Sequence, residues 1–127
     1  MINAAKWLEN TPLGTQKEKR VQVNTYILQW ITSSPIVQVD LDADLITKIC
    51  EGNGDMLFVF LSGYAKYCLE NSYTRDQLKG ATAGLKAIIN CHALGGDIKK
   101  NKQLSKVIDA DKEGKLEEWV KGKLKTE

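Results

Sequence analysis

Apolar residues recur at helical spacing along almost the whole chain, and this pattern constrains the fold more than any other feature of the sequence. Its clearest example is a stripe at the i, i+3, i+4, i+7, i+8 positions of one helix face, made of Val23, Tyr26, Ile27, Trp30 and Ile31. We expect this stripe to lie in the core, with Arg20 and Gln29 toward water. Strict alternation is confined to residues 36–41, and one short strand has no partner elsewhere in the chain.

Helix start and stop signals divide the pattern into about six helices. Thr15-Gln16-Lys17-Glu18 and Thr74-Arg75-Asp76-Gln77 fit the capping box, in which side chains satisfy the first backbone amides of a helix. They predict a second helix that starts at Gln16 and a fifth that runs to about His92 or Leu94. The remaining helices are predicted at about 2–9, from 42–44 to 51, at 55–70, and as a helical hairpin after residue 97 that Gly114 interrupts.

These segments predict an all-α fold, a single compact helical domain over residues 1–127. Residues 55–70 are apolar nearly all round at their start, so we expect this helix to organise the core. Gly80 and Gly84 lie four residues apart on the next helix and predict close packing of two backbones. The two helices form an antiparallel hairpin that resembles one unit of a tetratricopeptide-type repeat. Other segments do not align with it, so a repeat protein is not predicted.

Composition excludes several common functions. Eighteen basic and sixteen acidic side chains leave a formal charge of +2, too small a field to favour nucleic acid or anionic lipid. The longest apolar run, Met56-Leu57-Phe58-Val59-Phe60-Leu61, is far shorter than a membrane span. Lys17-Glu18-Lys19-Arg20 and Lys99-Lys100-Asn101-Lys102 are interrupted or followed by acids, which is typical of solvated faces. Phosphate-loop, dinucleotide and hydrolase motifs do not occur, so no cofactor is predicted.

Cys50, Cys68 and Cys91 are an odd number of cysteines with no C-x-x-C pair, so we expect buried free thiols. The first residues contain no basic segment followed by an apolar run, and the chain therefore reads as cytoplasmic. An export signal removed ahead of Met1 would instead make the protein exported and would let two of the three cysteines pair. Both alternatives stay open.

The turn at residues 109–116 resembles the first eight positions of an EF-hand calcium loop. Asp109, Asp111 and Glu113 supply oxygen ligands at positions 1, 3 and 5, Gly114 is the turn glycine, and Leu116 is the apolar residue at position 8. The resemblance implies a calcium site whose metal ligands are Asp109, Asp111 and Glu113.

Position 12 of this loop, which is a bidentate glutamate in the family, is Val120. The same residues also fit a simpler interpretation, in which one helix ends near Lys112, Gly114 takes a left-handed conformation and a new helix begins at Leu116. The sequence favours this second interpretation.

A second acidic segment places carboxylates at the same loop positions. Asp40, Asp42, Asp44 and Glu51 occupy positions 1, 3, 5 and 12, but Leu45 stands where the turn glycine belongs. Asp42 and Asp44 are explained equally well as the acidic start of a helix, where the positive end of the helix dipole stabilises carboxylates.

His92 is the one histidine of the chain, so a Cys–His nucleophile would have to use it. Cys91 is its neighbour, but consecutive helical residues point about 100° apart and do not form a nucleophile–base pair. We therefore expect His92 to cap the end of its helix, and we expect no enzyme. The best hypothesis is a small protein-interaction or structural module without catalytic activity, with another protein as partner. A calcium-binding module is the alternative, and the oligomeric state is left open.

Overall fold

The computed structural model describes residues 1–34, 43–96, 98–99 and 101–123. Within these ranges the chain forms seven helices, which confirms the all-α prediction. The alternating stretch at 36–41 lies outside the described residues. The helices are α1 (Ile2–Glu9), α2 (Lys17–Ser33), α3 (Ala43–Ile49), α4 (Asp55–Glu70), α5 (Gln77–Ala93), α6 (Lys102–Lys112) and α7 (Leu116–Lys123).

The α4–α5 hairpin is the centre of the fold. A Cβ atom on Gly80 would lie 2.5 Å from the Tyr64 ring, and one on Gly84 would lie 2.8 Å from the backbone oxygen of Phe60. Gly80 thus faces Tyr64, and Gly84, four residues later on α5, faces Phe60, four residues earlier on α4. The two helices therefore run antiparallel. The close backbone approach is therefore confirmed at Gly84, whereas at Gly80 the Tyr64 ring fills the space; a side chain at either position would collide with α4.

The other helices pack around this hairpin. α1 contacts both α4 and α5, α2 packs on α4, and the α6–α7 hairpin packs on α5. α3 contacts α6, so the N-terminal and C-terminal halves of the chain meet at that point. The core is continuous through fully buried side chains on α1, α3, α4, α5, α6 and α7, among them Leu8, Ile49, Met56, Leu85, Val107 and Val120.

The orientation predicted for α2 is partly wrong. Ile27 is fully buried as expected, but Tyr26 is 44% exposed and Arg20, expected in water, is 2% exposed. The Arg20 guanidinium donates from Nη2 to the backbone oxygens of Thr11 and Pro12, each at 3.1 Å. The loop between α1 and α2 closes over the arginine, and this use of its long side chain could not be foreseen from apolar spacing alone.

Both predicted capping boxes are wrong in detail. α2 begins after Gln16, which adopts a left-handed conformation (φ 47°), and the Thr15 hydroxyl donates back to Pro12 instead of accepting from the helix. At α5 the cap is Asp76, whose carboxylate accepts from the Lys79 amide at 3.1 Å. A competing hydrogen bond of Thr15 displaces the start of α2, and Asp76 as the cap displaces the start of α5. The observed starts therefore differ from the predicted ones by one to three residues.

All three cysteines are buried thiols that form no disulfide, as predicted. Across the described ranges, no helix combines the length and the apolar character that crossing a bilayer requires.

Candidate functional site

Asn101 connects the end of α3 to the start of α6. Its side-chain oxygen accepts from the backbone amides of Gln103 and Leu104, at 2.9 and 3.2 Å, and so caps the N-terminus of α6. Its side-chain nitrogen donates to the backbone oxygens of Lys48 and Ile49, at 2.6 and 3.1 Å, at the C-terminal end of α3. One carboxamide therefore satisfies unpaired backbone groups of two helices.

Asn53 makes a second connection in the same region. Its side-chain nitrogen donates to the backbone oxygen of Lys99 at 3.0 Å, and its side-chain oxygen accepts from the Lys99 amide at 2.8 Å. Asn53 is only 6% exposed, so these bonds are shielded from water. The two asparagines hold the turn after α3 and the start of α6 at a fixed separation.

An open cleft of about 700 Å³ lies between these two segments, and we call it the α3–α6 cleft. Asn101 forms part of its wall. Among the residues that the structure describes, the charged side chains that line it are four lysines and one glutamate: Lys48, Lys99, Lys102, Lys106 and Glu51. The cleft is therefore strongly positive although the chain as a whole is close to neutral.

The lysines of the α3–α6 cleft differ from three lysines on α4 and α5 that form ion pairs. Lys66 pairs with Glu70 along α4 at 3.3 Å. Lys79 pairs with Glu117 and Lys86 with Asp111, the latter at 2.9 Å, where α5 meets the α6–α7 hairpin. The hydrogen bond that Lys79 donates to the Glu117 carboxylate raises the pKa of Lys79.

By contrast, no described residue forms an ion pair with any of the four cleft lysines. All four are exposed, so their positive charges act on anything that approaches the cleft from solvent. The arrangement can attract and hold negative charge, whereas Lys66, Lys79 and Lys86 are each neutralised by a neighbouring carboxylate.

A shallower depression of about 370 Å³ continues from the cleft along α6, and we call it the α6 depression. It is lined by Ser105 together with Asn101, Lys102 and Lys106, the three residues that it shares with the α3–α6 cleft. The shared residues make the two hollows neighbours on one positive surface.

The predicted calcium ligands lie at the end of α6. Asp109 and Asp111 are inside the helix, Glu113 is its C-terminal cap residue, and Gly114 has the left-handed φ of 71°. Asp111 is engaged by Lys86, and residues two apart on a helix point to different sides.

The turn therefore follows the simpler helix–turn–helix interpretation. Within residues 1–34, 43–96, 98–99 and 101–123, no group of three or more His, Cys, Asp or Glu side chains gathers into a metal site. Calcium binding by Asp109, Asp111 and Glu113 stays a prediction that this geometry does not favour.

The second acidic segment lies only partly within the described residues, because Asp40 and Asp42 fall outside them. Asp44 is exposed in the first turn of α3, where its carboxylate interacts favourably with the positive end of the helix dipole. Glu51 lies after the helix and lines the α3–α6 cleft.

His92 is exposed in the last turn of α5, whereas Cys50, Cys68 and Cys91 are buried. Burial raises the pKa of Cys50 to about 11 and also raises that of Cys91. Both thiols are therefore protonated at neutral pH and are weak nucleophiles. Cys50 and Cys91 therefore do not supply the thiolate that a Cys–His nucleophile needs.

Sequence reasoning missed the α3–α6 cleft. The run at residues 99–102 was interpreted as a solvated face, and nothing in the sequence connects it with Lys48, about fifty positions earlier. The one signal for it in the sequence is Asn101, which is a favoured helix-cap residue and has lysines on both sides just ahead of an amphipathic helix.

Comparisons of the chain with protein-family models, with curated proteins and with solved structures give no match in any of the three. Function is therefore inferred from the geometry of the chain itself.

Proposed function

We propose that this protein is a non-catalytic binding module that holds an anionic ligand in the α3–α6 cleft. One observation carries the proposal: four lysines surround the cleft and no described carboxylate pairs with them. Like charges held close together repel, and an anion that binds between them relieves this repulsion. The protonated thiols and the exposed His92 supply no competing catalytic group.

The cleft is suited to binding because its walls are fixed before a ligand arrives. The hydrogen bonds of Asn53 and Asn101 tie both sides of the cleft to helix ends. A preformed site loses less conformational entropy when it binds, which leaves more of the interaction energy for affinity.

The test uses dextran sulfate, a polyanion with neither peptide nor nucleotide chemistry, and neutral dextran as the reference. We expect calorimetric titration at low ionic strength to show binding of dextran sulfate that weakens as salt is added, because exposed charges are screened. The double variant Lys102→Gln/Lys106→Gln should bind about tenfold more weakly, as expected for two exposed charge contacts.

Lys79→Gln/Lys86→Gln is the matched control. It removes the same net charge from α5, where both lysines are already paired and neither lines the cleft or the α6 depression. We expect its affinity to change by less than about twofold, because neither lysine contacts a ligand in the cleft and exposed charges outside it are screened by salt. Equal losses in the two double variants would mean that the polyanion senses only net charge, and the proposal would then be wrong.

A further inference from the structure

We infer that the ligand of the α3–α6 cleft is an extended acidic segment of a partner protein, which runs from the cleft over α6 into the α6 depression. The inference rests on the proposed function, since it names the class of anion that the cleft holds. Three features of the site favour a carboxylate-bearing chain over a compact phosphate or a nucleic acid.

The spacing of positive charge matches an extended peptide. Lys102 and Lys106 are one helical turn apart, which places their α-carbons about 6 Å from each other along α6. In an extended chain, alternate side chains lie on the same side about 6.7 Å apart. Acidic residues at alternate positions would therefore meet the two lysines in register, while flanking residues enter the two hollows that share these lysines.

The site lacks a phosphate cradle. Anions at helix N-termini are held by free backbone amides, but at α6 the amides of Gln103 and Leu104 already donate to Asn101. The Asn101 side-chain nitrogen is likewise engaged, by α3 carbonyls. What remains is a row of separate ammonium groups, which suits charges spread along a chain better than charges concentrated on one phosphorus atom.

The site also lacks a surface for bases. No aromatic side chain is found among the described residues that line the cleft or the α6 depression. Single-stranded nucleic acids are bound largely by stacking on aromatic residues, and charge alone gives only weak, non-specific affinity.

Glu51 sets the direction of the segment. It lines the α3–α6 cleft but not the α6 depression, so among the described lining residues the negative charge lies at one end of the path. A carboxylate of the partner at that end would be repelled, whereas a neutral or basic residue is accepted. Glu51 is thus a specificity-determining residue, and the acidic part of the partner lies toward α6.

The experiment measures binding of fluorescein-labelled peptides of four, eight and twelve glutamates to the full chain by fluorescence anisotropy at low salt. We expect the affinity to rise about tenfold from four to twelve residues, because the longer peptide reaches both hollows. The Lys102→Gln/Lys106→Gln variant should lose this dependence on length, and the Lys79→Gln/Lys86→Gln control should keep it. Glu51→Gln should increase the affinity of the twelve-residue peptide about twofold.

Tripolyphosphate and a twelve-residue oligothymidylate are tested as competitors in the same assay. Tighter binding of either one than of the twelve-residue peptide, or no gain with peptide length, would overturn the inference while leaving the proposed function standing. If none of the anions binds, dextran sulfate included, the proposed function itself is wrong. A Glu51→Gln variant with unchanged affinity would overturn the direction assigned to the segment.

Discussion

The side chain of Asn101 forms hydrogen bonds at two helix ends because a carboxamide carries both a donor and an acceptor. The acceptor serves the backbone amides at the start of α6, and the donor serves the backbone oxygens at the end of α3. Aspartate keeps only the acceptor, and alanine keeps neither. The residue therefore links folding of the C-terminal hairpin to the position of α3, and with it the shape of the α3–α6 cleft.

We expect Asn101→Ala to lower the free energy of unfolding by about 1–2 kcal/mol, the range for loss of a helix N-cap and its accompanying hydrogen bonds. Asn101→Asp should recover roughly half of this loss, because aspartate is an equally good N-cap. Urea denaturation measures both. The matched control is Asn10→Ala, since Asn10 is exposed and donates only to its own helix, at Lys6. If Asn101→Ala lowers the free energy of unfolding no more than Asn10→Ala does, the hydrogen bonds that connect α3 and α6 contribute nothing to stability.

At the scale of elements, the sequence predicted most helices because their apolar patterns were long and regular. The bounds of α1 and α4 agree with those expected, since Pro12 and the Gly52-Asn53-Gly54 turn leave little freedom nearby. Helix starts that depended on capping motifs were less predictable, because a threonine hydroxyl has several backbone partners within reach. Thr15 and Thr74 both form local hydrogen bonds outside the helix.

The α6–α7 hairpin is attached to α5 by apolar burial more than by ion pairs. Val107 and Val120 are fully buried, whereas the Lys79–Glu117 pair is exposed and the Lys86–Asp111 pair is partly exposed to solvent. Burial of one valine side chain contributes about 1.5–3 kcal/mol, while an exposed ion pair contributes about 0–1 kcal/mol. Apolar contacts therefore decide the stability of this attachment.

We expect Val120→Ala to lower the free energy of unfolding by about 2 kcal/mol, because it removes two buried methyl groups and leaves a cavity. Asp111→Asn should cost less than about 1 kcal/mol, and added salt should reduce that difference. Val21→Ala is the matched control, since Val21 is 64% exposed on α2 and alanine is the better helix former. Thermal and urea denaturation compare the three. A larger effect of Asp111→Asn than of Val120→Ala would contradict this account.

For the whole molecule, the distribution of charge matters more than its sum. A net charge of +2 predicts no binding of nucleic acid or anionic lipid, yet folding gathers four lysines without a described ion pair around the α3–α6 cleft, while Lys66, Lys79 and Lys86 pair with carboxylates outside it. This partition depends on contacts between α3 and α6, which are remote in sequence. Spacing along the chain predicts which face of a helix is apolar, but it does not predict which charged faces of two helices will meet.

Global stability should fall at alkaline pH because of the buried thiols. Burial raises the pKa of Cys50 from 9.0 to about 11, and burial raises the pKa of Cys91 as well. Above pH 9 the unfolded chain releases thiol protons that the folded chain retains, so the unfolded state binds fewer protons and stability falls as pH rises from 9 to 11. For Cys50 alone the loss at pH 10, relative to pH 7.5, is about 1.4 kcal/mol.

Urea denaturation at pH 7.5, 9 and 10 in the presence of a reducing agent measures this loss. Lysines and tyrosines titrate in the same range, so the informative quantity is the difference in pH dependence between the wild-type chain and Cys50→Ala. The variant is expected to be less stable at pH 7.5, because it loses a buried sulfur, but to lose less stability than the wild type between pH 7.5 and 10. Parallel pH profiles would show that the Cys50 thiol is no harder to ionise in the folded protein than in the unfolded chain.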